Sequence, residues 1–255
     1  MPAPINHLKA ALAAKRPQHG IWLNLASPIT ADLLAGAGFD WLLIDAEHGP
    51  NAIPTILQQL QIIGDRCQVV VRPPVGEVHL IKQLLDIGAQ TLLVPMIESA
   101  DHAALMVKAM LYPPHGIRGV GAAVARASDY GRAADYISTA NAQTCLLLQV
   151  ESRAGLAALP AILAMGGVDG VFIGPADLAA DMGHPGNIAA PEVQAAIDAA
   201  LRSIINSGKS AGILMFDPSA IARYREMGVT FIGVGGDVAL LMKAADLLAA
   251  TVKQD

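Results

Sequence analysis

The chain alternates short apolar runs with amphipathic segments eight times, and this repeat constrains the fold more than any other feature. The apolar runs have the composition of buried strands and cover residues 20–25, 41–46, 67–72, 91–97, 144–151, 169–174, 210–216 and 230–235. Segments with helical spacing follow them at residues 29–37, 52–63, 77–87, 100–111, 153–165, 192–207, 218–227 and 237–252. Eight such units in 255 residues predict one α/β domain over residues 1–255, a parallel (β/α)₈ TIM barrel.

Composition and charge narrow the partners of such a barrel. The net charge is -5 and the basic residues form no stripe, which disfavours nucleic acid as a partner. No run reaches the roughly 18 apolar residues of a membrane span, and the Ala-rich N-terminus is too brief for a secretory signal, so we expect a cytoplasmic protein. Because 53% of the residues are hydrophobic, part of the surface is expected to meet another subunit. Cys67 and Cys145 are expected to be buried thiols.

One connection between the predicted elements is much longer than the rest. Residues 112–143 span about three times the usual length of such a loop, and loops this long are usually functional or ordered by a partner. We expect this loop, together with Phe216 at the end of the seventh predicted strand, to influence which substrate is accepted.

Two of the predicted strands run into carboxylates. Glu151 follows the fifth strand and Asp177 follows the sixth, so both acids are expected at the C-terminal edge of the barrel, where active sites of this fold lie. A site made of oxygen ligands suits Mg²⁺ or Mn²⁺ better than zinc. The alternative is that the two acids form structural ion pairs with Arg72 or Arg153.

The same edge should carry an imidazole and a guanidinium. His48 follows the second strand and suits proton transfer near neutral pH. The neighbouring Asp45 and Glu47 could orient it, bind the metal or cap the next helix. Arg72 ends the third strand, where its fixed charge could stabilise an oxyanion in the pocket or pair with a carboxylate; we favour the pocket.

Three further observations come from the residues alone. The glycine run at 233–236 could hold a phosphate or simply form a tight turn. Helical periodicity alone predicts that Asp86 is solvated or paired. No lysine stands at a strand end, so no Schiff-base nucleophile is expected there; Lys82, Lys108, Lys209 and Lys243 are expected in helices or turns.

A set of motifs, taken together, resembles the HpcH/HpaI family of metal-dependent (class II) 2-keto-acid aldolases, from about residue 8 to residue 250. The motifs are 42–48 (LLIDAEH), 71–73 (VRP), 81–86 (IKQLLD), 112–114 (YPP), 116–119 (GIRG), 149–151 (QVE) and 170–178 (GVFIGPADL). Several of them are shared with sister aldolases that act on deoxy-keto sugar acids.

The resemblance implies roles for individual residues. Glu151 and Asp177 would bind a divalent cation (Mg²⁺, Mn²⁺ or Co²⁺), and Gln149 with the backbone of Ala176 would hold pyruvate. His48 would be the proton acceptor and Arg72 would stabilise the enolate. Asp86 would raise the basicity of His48 across a subunit contact, a role that replaces the one periodicity predicts. Phe216 would contact the aldehyde, but it departs from the aliphatic residue of relatives, so the resemblance does not fix which aldehyde is preferred.

The resemblance also implies an activity and an assembly. The reaction would be reversible cleavage of a 4-hydroxy-2-keto acid, such as 4-hydroxy-2-oxoheptanedioate, to pyruvate and an aldehyde such as succinic semialdehyde, through a metal-bound enolate and without a Schiff-base lysine. The chain would form a homo-hexamer with exchanged C-terminal helices and serve aromatic catabolism. Two alternatives stay open: a related lyase acting on a 2-keto-3-deoxy sugar acid, a CoA ester or a phosphorylated substrate, and a non-catalytic metabolite-binding barrel.

Overall fold

A computed structural model of the chain describes residues 1–253, so residues 254–255 of the predicted domain lie outside the described residues. Eight parallel strands close into a barrel in sequence order, with β8 paired to β1, which confirms the predicted TIM barrel. The strands are β1 Gln18–Leu23, β2 Trp41–Asp45, β3 Gln68–Arg72, β4 Thr91–Val94, β5 Cys145–Val150, β6 Gly170–Ile173, β7 Ser210–Leu214 and β8 Phe231–Gly236.

Helices surround the barrel, and each predicted helical segment overlaps one of them. They are α1 His7–Ala13, α2 Pro28–Ala35, α3 Ile53–Ile63, α4 Val78–Asp86, α5 Ala100–Met110, α6 Tyr136–Gln143, α7 Arg153–Leu163, α8 Pro175–Asp181, α9 Pro191–Asn206, α10 Pro218–Met227 and α11 Asp237–Val252. Serine side chains at residues 27, 99 and 152 cap three of these helices by accepting a backbone N–H from the first turn.

Apolar side chains fill two separate layers. Inside the barrel Trp22, Trp41, Phe172 and Phe231 pack together, and the rings of Trp41 and Phe231 stack at 4.2 Å. Helix α1, which the strand-helix repeat did not predict, adds buried leucines to this interior cluster from the N-terminal end of the barrel. The larger layer lies between the strands and the outer helices. Cys67 and Cys145 are buried free thiols, as expected.

The long connection over residues 112–143 contains regular structure that the strand-helix repeat did not predict. The segment contains a 3₁₀ turn at Arg126–Ser128 and helix α6. Tyr112, Ala122 and Tyr136 form a small core with Ala3 of the N-terminal segment. Because this core is formed by residues that are distant in sequence, the segment shows little helical periodicity. Since this segment follows α5, it lies at the N-terminal face of the barrel, away from the edge where the strands end.

The last helix is exposed along almost its whole length. In α11 only Asp237 is buried, and large apolar side chains face solvent; they are Val238, Leu240, Leu241, Met242, Leu247, Leu248 and Val252. Its packing contacts are mainly with β1 and β8. Within residues 1–253, no helix is both long and apolar enough to cross a lipid bilayer.

Candidate active site

Asp45, the last residue of β2, organises the C-terminal edge of the barrel. Its carboxylate is fully buried and accepts hydrogen bonds from Arg72 Nε at 2.9 Å, Arg72 Nη2 at 2.7 Å and Asn24 Nδ2 at 2.7 Å. It also accepts the backbone N–H groups of Glu47 and His48 at 3.1 and 3.4 Å. Burial alone would raise the pKa of Asp45, but the bonds and charge of Arg72 outweigh it and lower that pKa. Asp45 therefore fixes both Arg72 and the loop that carries His48.

Arg72 pairs with a carboxylate, which is one of its two predicted alternatives, and keeps one nitrogen directed along the rim. Two of its nitrogens are bound by Asp45, so it does pair with a carboxylate. The remaining Nη1 lies 3.0 Å from Glu47 Oε2 and 3.5 Å from Gln149 Oε1. This nitrogen points along the row of strand ends towards β5. A guanidinium that is bound through two nitrogens and presents the third is suited to stabilise negative charge on a substrate.

Gln149 joins Arg72 to Glu151. The Gln149 amide accepts from Arg72 through its oxygen and donates through Nε2 to Glu151 Oε2. Glu151 follows β5 directly, is 2% exposed, and accepts the backbone N–H of Met96 at 3.0 Å through its other oxygen. Met96 adopts a left-handed backbone conformation, with φ of 53°, that aims this N–H at the carboxylate.

Asp177 lies in the first turn of α8 rather than at the strand end itself. Burial and the charge of Asp177 raise the pKa of Glu151, and the hydrogen bonds from Gln149 and Met96 only partly offset this. Among residues 1–253, neither Glu151 nor Asp177 forms an ion pair with a basic side chain, and Arg153 pairs with Asp181 instead. The structural ion pairs weighed as the alternative to a metal are therefore not formed.

A glycine makes room for Glu151. A Cβ atom on Gly174 would lie 2.9 Å from the Cβ of Glu151 and closer still to its Oε2. The residue between β6 and α8 must therefore lack a side chain for the carboxylate to reach its position. Sequence reasoning missed Gly174, Met96 and Asn24, because their contribution is a close approach, a backbone N–H and a side-chain bond that no motif spacing shows.

The pair of carboxylates suits a hard divalent cation, although it does not complete a coordination shell. Within the described residues, no group of three or more His, Cys, Asp and Glu side chains is arranged to hold a metal ion. Two carboxylates leave several positions of a six-coordinate cation for water and a chelating substrate, which is the usual arrangement for Mg²⁺.

Glu47 is the third acid near this cluster. Its Oε2 is buried and 3.0 Å from Arg72 Nη1 without forming a well-aligned hydrogen bond, and it lies 3.8 Å from His48 Nε2. Burial raises the pKa of Glu47 to about 7. The positive charge of Arg72 reduces this shift, and the negative charge of Glu151 adds to it. The imidazole of His48 is itself 63% exposed, so it is accessible at the rim.

The remaining predicted site residues occupy two different faces. Ala176 opens α8 beside Asp177, and Phe216 follows β7 with 62% of its surface exposed, so both lie at the C-terminal edge. Asp86 ends α4 and therefore lies towards the opposite face, where its Oδ1 accepts a hydrogen bond from Arg118 Nη2 at 2.8 Å. Within one chain, Asp86 does not meet His48.

The glycine run falls within β8 and at its end. A Cβ on Gly233 would collide with the ring of Trp22, and one on Gly236 would touch the same residue at 3.5 Å. Close packing of β8 against β1 accounts for these glycines without a ligand.

Comparisons with known proteins agree with this architecture. The sequence profile described as HpcH/HpaI aldolase/citrate lyase matches residues 18–244. The chain is 57% identical over 246 residues to a 4-hydroxy-2-oxo-heptane-1,7-dioate aldolase of Klebsiella pneumoniae subsp. pneumoniae, covering 96% of this chain and 93% of that protein. It is 54% identical over 254 residues to a hydroxypyruvate/pyruvate aldolase of Agrobacterium fabrum, covering 99% and 96% of the two chains.

A solved structure shares the whole fold. It is a HpcH/HpaI aldolase/citrate lyase family protein from Burkholderia cenocepacia J2315, which superimposes with a TM-score of 0.94 at 41% identity and covers 98% of this chain and 100% of its own.

Proposed function

The chain belongs to the HpcH/HpaI aldolase/citrate lyase family, and from this premise we propose that it is a metal-dependent class II pyruvate aldolase. It is a carbon–carbon lyase that reversibly cleaves a 4-hydroxy-2-keto acid to pyruvate and an aldehyde. The name of the 57% identical relative supports 4-hydroxy-2-oxoheptanedioate as the substrate, with succinic semialdehyde as the aldehyde released.

The single observation that carries the proposal is the row of polar groups from Asp45 through Arg72 and Gln149 to Glu151. It joins an oriented guanidinium to a carboxylate that, within residues 1–253, forms no ion pair with a basic side chain. Such a row can hold a small 2-keto acid by its oxygens and accommodate the negative charge that forms during its enolisation.

Glu151 and Asp177 would hold the divalent cation, which we propose to be Mg²⁺, Mn²⁺ or Co²⁺. When bound, a cation at this position supplies Lewis-acid stabilisation of negative charge on the keto oxygen of the substrate. The side-chain amide of Gln149 and the backbone of Ala176 would bind pyruvate in the orientation that this requires. Arg72 Nη1 would stabilise the enolate form of pyruvate.

His48 would move the proton. In the cleavage direction its imidazole accepts the proton of the C4 hydroxyl as the C3–C4 bond breaks, and the electron pair of that bond stays on the pyruvate enolate, which takes up a proton at C3 to give pyruvate. In the synthetic direction pyruvate loses a C3 proton, and His48 returns its proton to the C4 oxygen. The exposure of His48 at the rim supports access to a hydroxyl on the aldehyde side of the substrate. Phe216, exposed after β7, would contact the aldehyde portion.

We propose a mechanism without a Schiff base. Lys82, Lys108 and Lys243 belong to the outer helices α4, α5 and α11. Lys209 precedes β7 and donates hydrogen bonds to the backbone oxygens of Met165 and Val168 at 2.7 and 2.8 Å, on the N-terminal side of the barrel. These placements favour charge stabilisation by a cation over an imine.

The proposed assembly is a homo-hexamer in which α11 is exchanged between subunits. The apolar surface that α11 leaves uncovered supports this, since an exposed face of that size is usually an interface. Asp86 would act on His48 across a contact between subunits, because the two lie towards opposite faces of one barrel. A cytoplasmic location and a place in aromatic catabolism stay predictions from the sequence.

A second candidate activity has its own support. The relative named hydroxypyruvate/pyruvate aldolase is 54% identical over almost the entire chain, which favours hydroxypyruvate as an additional donor. A screen of pyruvate and hydroxypyruvate release from 4-hydroxy-2-keto acids, with Mg²⁺, Mn²⁺ or Co²⁺ and without metal, separates the two. Turnover of a CoA ester or a phosphorylated substrate alone would favour the related lyases, and metabolite binding without turnover would favour a non-catalytic barrel.

A further inference from the structure

Arg118 is a buried arginine in a segment that the reaction does not otherwise use. It belongs to the 116–119 motif, and its side chain is only 1% exposed although it lies outside the barrel. The guanidinium lies 4.3 Å above the ring of Tyr112 and 5.9 Å from that of Tyr136. Two rings therefore hold the plane of the guanidinium in one orientation.

A buried guanidinium needs a carboxylate partner, and within residues 1–253 the one that Arg118 contacts is Asp86. Arg118 Nη2 donates to Asp86 Oδ1 at 2.8 Å. The other oxygen, Oδ2, lies on the side of Gly121, where even a Cβ atom would remain 3.7 Å away. About a quarter of the Asp86 side chain is exposed. One carboxylate oxygen is thus fixed and the other is left open to a group from outside this chain.

The position of Asp86 restricts which group that can be. Asp86 ends α4, which returns from the rim towards the N-terminal face over nine residues, or about 13 Å. His48 stands at the rim where α4 starts its descent. A carboxylate that serves His48 from this place must serve the His48 of a second copy of the chain.

We propose that Arg118 is a positioning residue for the proton transfer: it holds Asp86 so that Oδ2 is presented to His48 of a second copy. The inference rests on the role of Asp86 in the proposed function. Arg118 touches no substrate and acts through Asp86, as the outer partner of a catalytic base does in other enzymes. The buried tyrosines keep the guanidinium from rotating away, and Tyr136 adds a hydrogen bond from Arg118 Nη2 to its hydroxyl at 3.4 Å.

The test compares Arg118→Met with Asp86→Asn, the double variant and a matched control. The control is Arg126→Met, since Arg126 lies at the same end of α4 but donates to the Ile87 carbonyl at 3.0 Å instead of to Asp86. Tyr136→Phe removes only the hydroxyl that Arg118 contacts, and it replaces Arg118→Met in the test if that variant does not fold. The metal-loaded full chain is assayed for kcat and KM with 4-hydroxy-2-oxoheptanedioate, and Mg²⁺ affinity is measured by calorimetry.

We expect Arg118→Met to lower kcat on the order of 10- to 100-fold, with KM and Mg²⁺ affinity within about twofold of the parent. Tyr136→Phe should change kcat in the same direction by a smaller factor, and Arg126→Met should match the parent. Adding Arg118→Met to Asp86→Asn should not lower kcat further. A merely structural role would instead lower Mg²⁺ affinity and add to the effect of Asp86→Asn.

Two results would overturn the inference in distinguishable ways. If Asp86→Asn is slow while Arg118→Met and Tyr136→Phe both keep the parent kcat, Arg118 does not position Asp86 and the proposed function stands. If Asp86→Asn itself keeps the parent kcat, the proposed role of Asp86 is wrong, and the role of Arg118 falls with it.

Discussion

The Asp45 carboxylate binds Arg72 through two parallel hydrogen bonds, Oδ1 to Nε at 2.9 Å and Oδ2 to Nη2 at 2.7 Å, in a buried position at adjoining strand ends. Bidentate pairs of this kind fix the plane of the guanidinium as well as its location. The pair therefore determines where the third nitrogen, Nη1, points, and it links the His48 loop to the row that ends at Glu151.

Replacing Asp45 by Asn should destabilise the protein strongly. The variant removes the charge of the buried bidentate partner of Arg72 and leaves Glu47, 3.0 Å from Arg72 Nη1, to offset the guanidinium. Loss of such a buried partner costs about 3–5 kcal/mol in the free energy of unfolding. Urea denaturation at pH 7 measures this. The control is Asp32→Asn, which breaks an exposed pair with Arg66 at 2.6 Å and should cost under about 1 kcal/mol. Equal losses in the two variants would contradict the structural role of the pair.

The pH dependence of the same pair has a definite sign. Because the pKa of Asp45 is lowered in the folded protein, its stabilising contribution is present above the unfolded value and is lost as pH falls through the folded one. The parent should therefore lose more stability than Asp45→Asn on acidification below about pH 4.

Glu47 should make the metal-free protein less stable as pH rises. Its pKa is raised by burial from 4.5 to about 7, so its contribution is fully present below about pH 4.5 and is lost as pH rises through about 7. Glu47→Gln should remove this component from urea midpoints measured between pH 5 and pH 8 in EDTA. Glu226→Gln, on the exposed surface of α10, is the control and should leave the pH profile unchanged. A parent profile that Glu47→Gln fails to flatten would show that Glu47 is charged throughout.

Gly174→Ala should damage the site while leaving the barrel intact. The added methyl group overlaps the position of the Glu151 carboxylate, so the carboxylate must move, and we expect Mg²⁺ affinity to fall by about tenfold or more. Gly166→Ala is a suitable control, because a Cβ there meets nothing within 4 Å. Calorimetric titration with Mg²⁺ compares the two; parental affinity in Gly174→Ala would place Glu151 outside the metal site.

Phe216→Ala should change the choice of aldehyde more than the handling of pyruvate. We expect the ratio of kcat/KM values for a long and a short aldehyde to change by about tenfold in the synthetic direction, with the KM for pyruvate unchanged. Tyr130→Ala provides a control, since Tyr130 is also exposed but belongs to the segment at the N-terminal face. A constant ratio would remove Phe216 from the aldehyde site.

The fold was predictable because the strands and helices follow strong hydrophobic periodicity. The structure of the connections between them was not predictable. All eight strands and eight of the outer helices came from local patterns, because apolar runs such as residues 145–148 are what a strand buried on both faces requires. Helices α1, α6 and α8 were not predicted, since each is only seven or eight residues long. Helices α1 and α6 also contribute to cores formed with residues far away in the sequence. Helical periodicity also cannot reveal that Asp86 faces Arg118, as the pairing depends on how the 112–143 segment folds back on α4.

The sequence was sufficient to predict which acidic and basic side chains lie at the same rim of the barrel. The C-terminal ends of parallel barrel strands lie at one edge, so Asp45, Arg72, Gln149 and Glu151 were expected at the same rim. The order of hydrogen bonds among them was not predictable. It depends on side-chain rotamers and on the left-handed conformation of Met96, which cannot be predicted from the residue type.

The most direct test of the central claim is pyruvate release from 4-hydroxy-2-oxoheptanedioate by the chelated protein before and after Mg²⁺, Mn²⁺ or Co²⁺ is restored. The claim predicts that chelation abolishes turnover, that a divalent cation restores it in the parent, and that Glu151→Gln and Asp177→Asn fold normally but are not restored. Full retro-aldol activity in EDTA, or restoration of both variants to the parent rate, would contradict it.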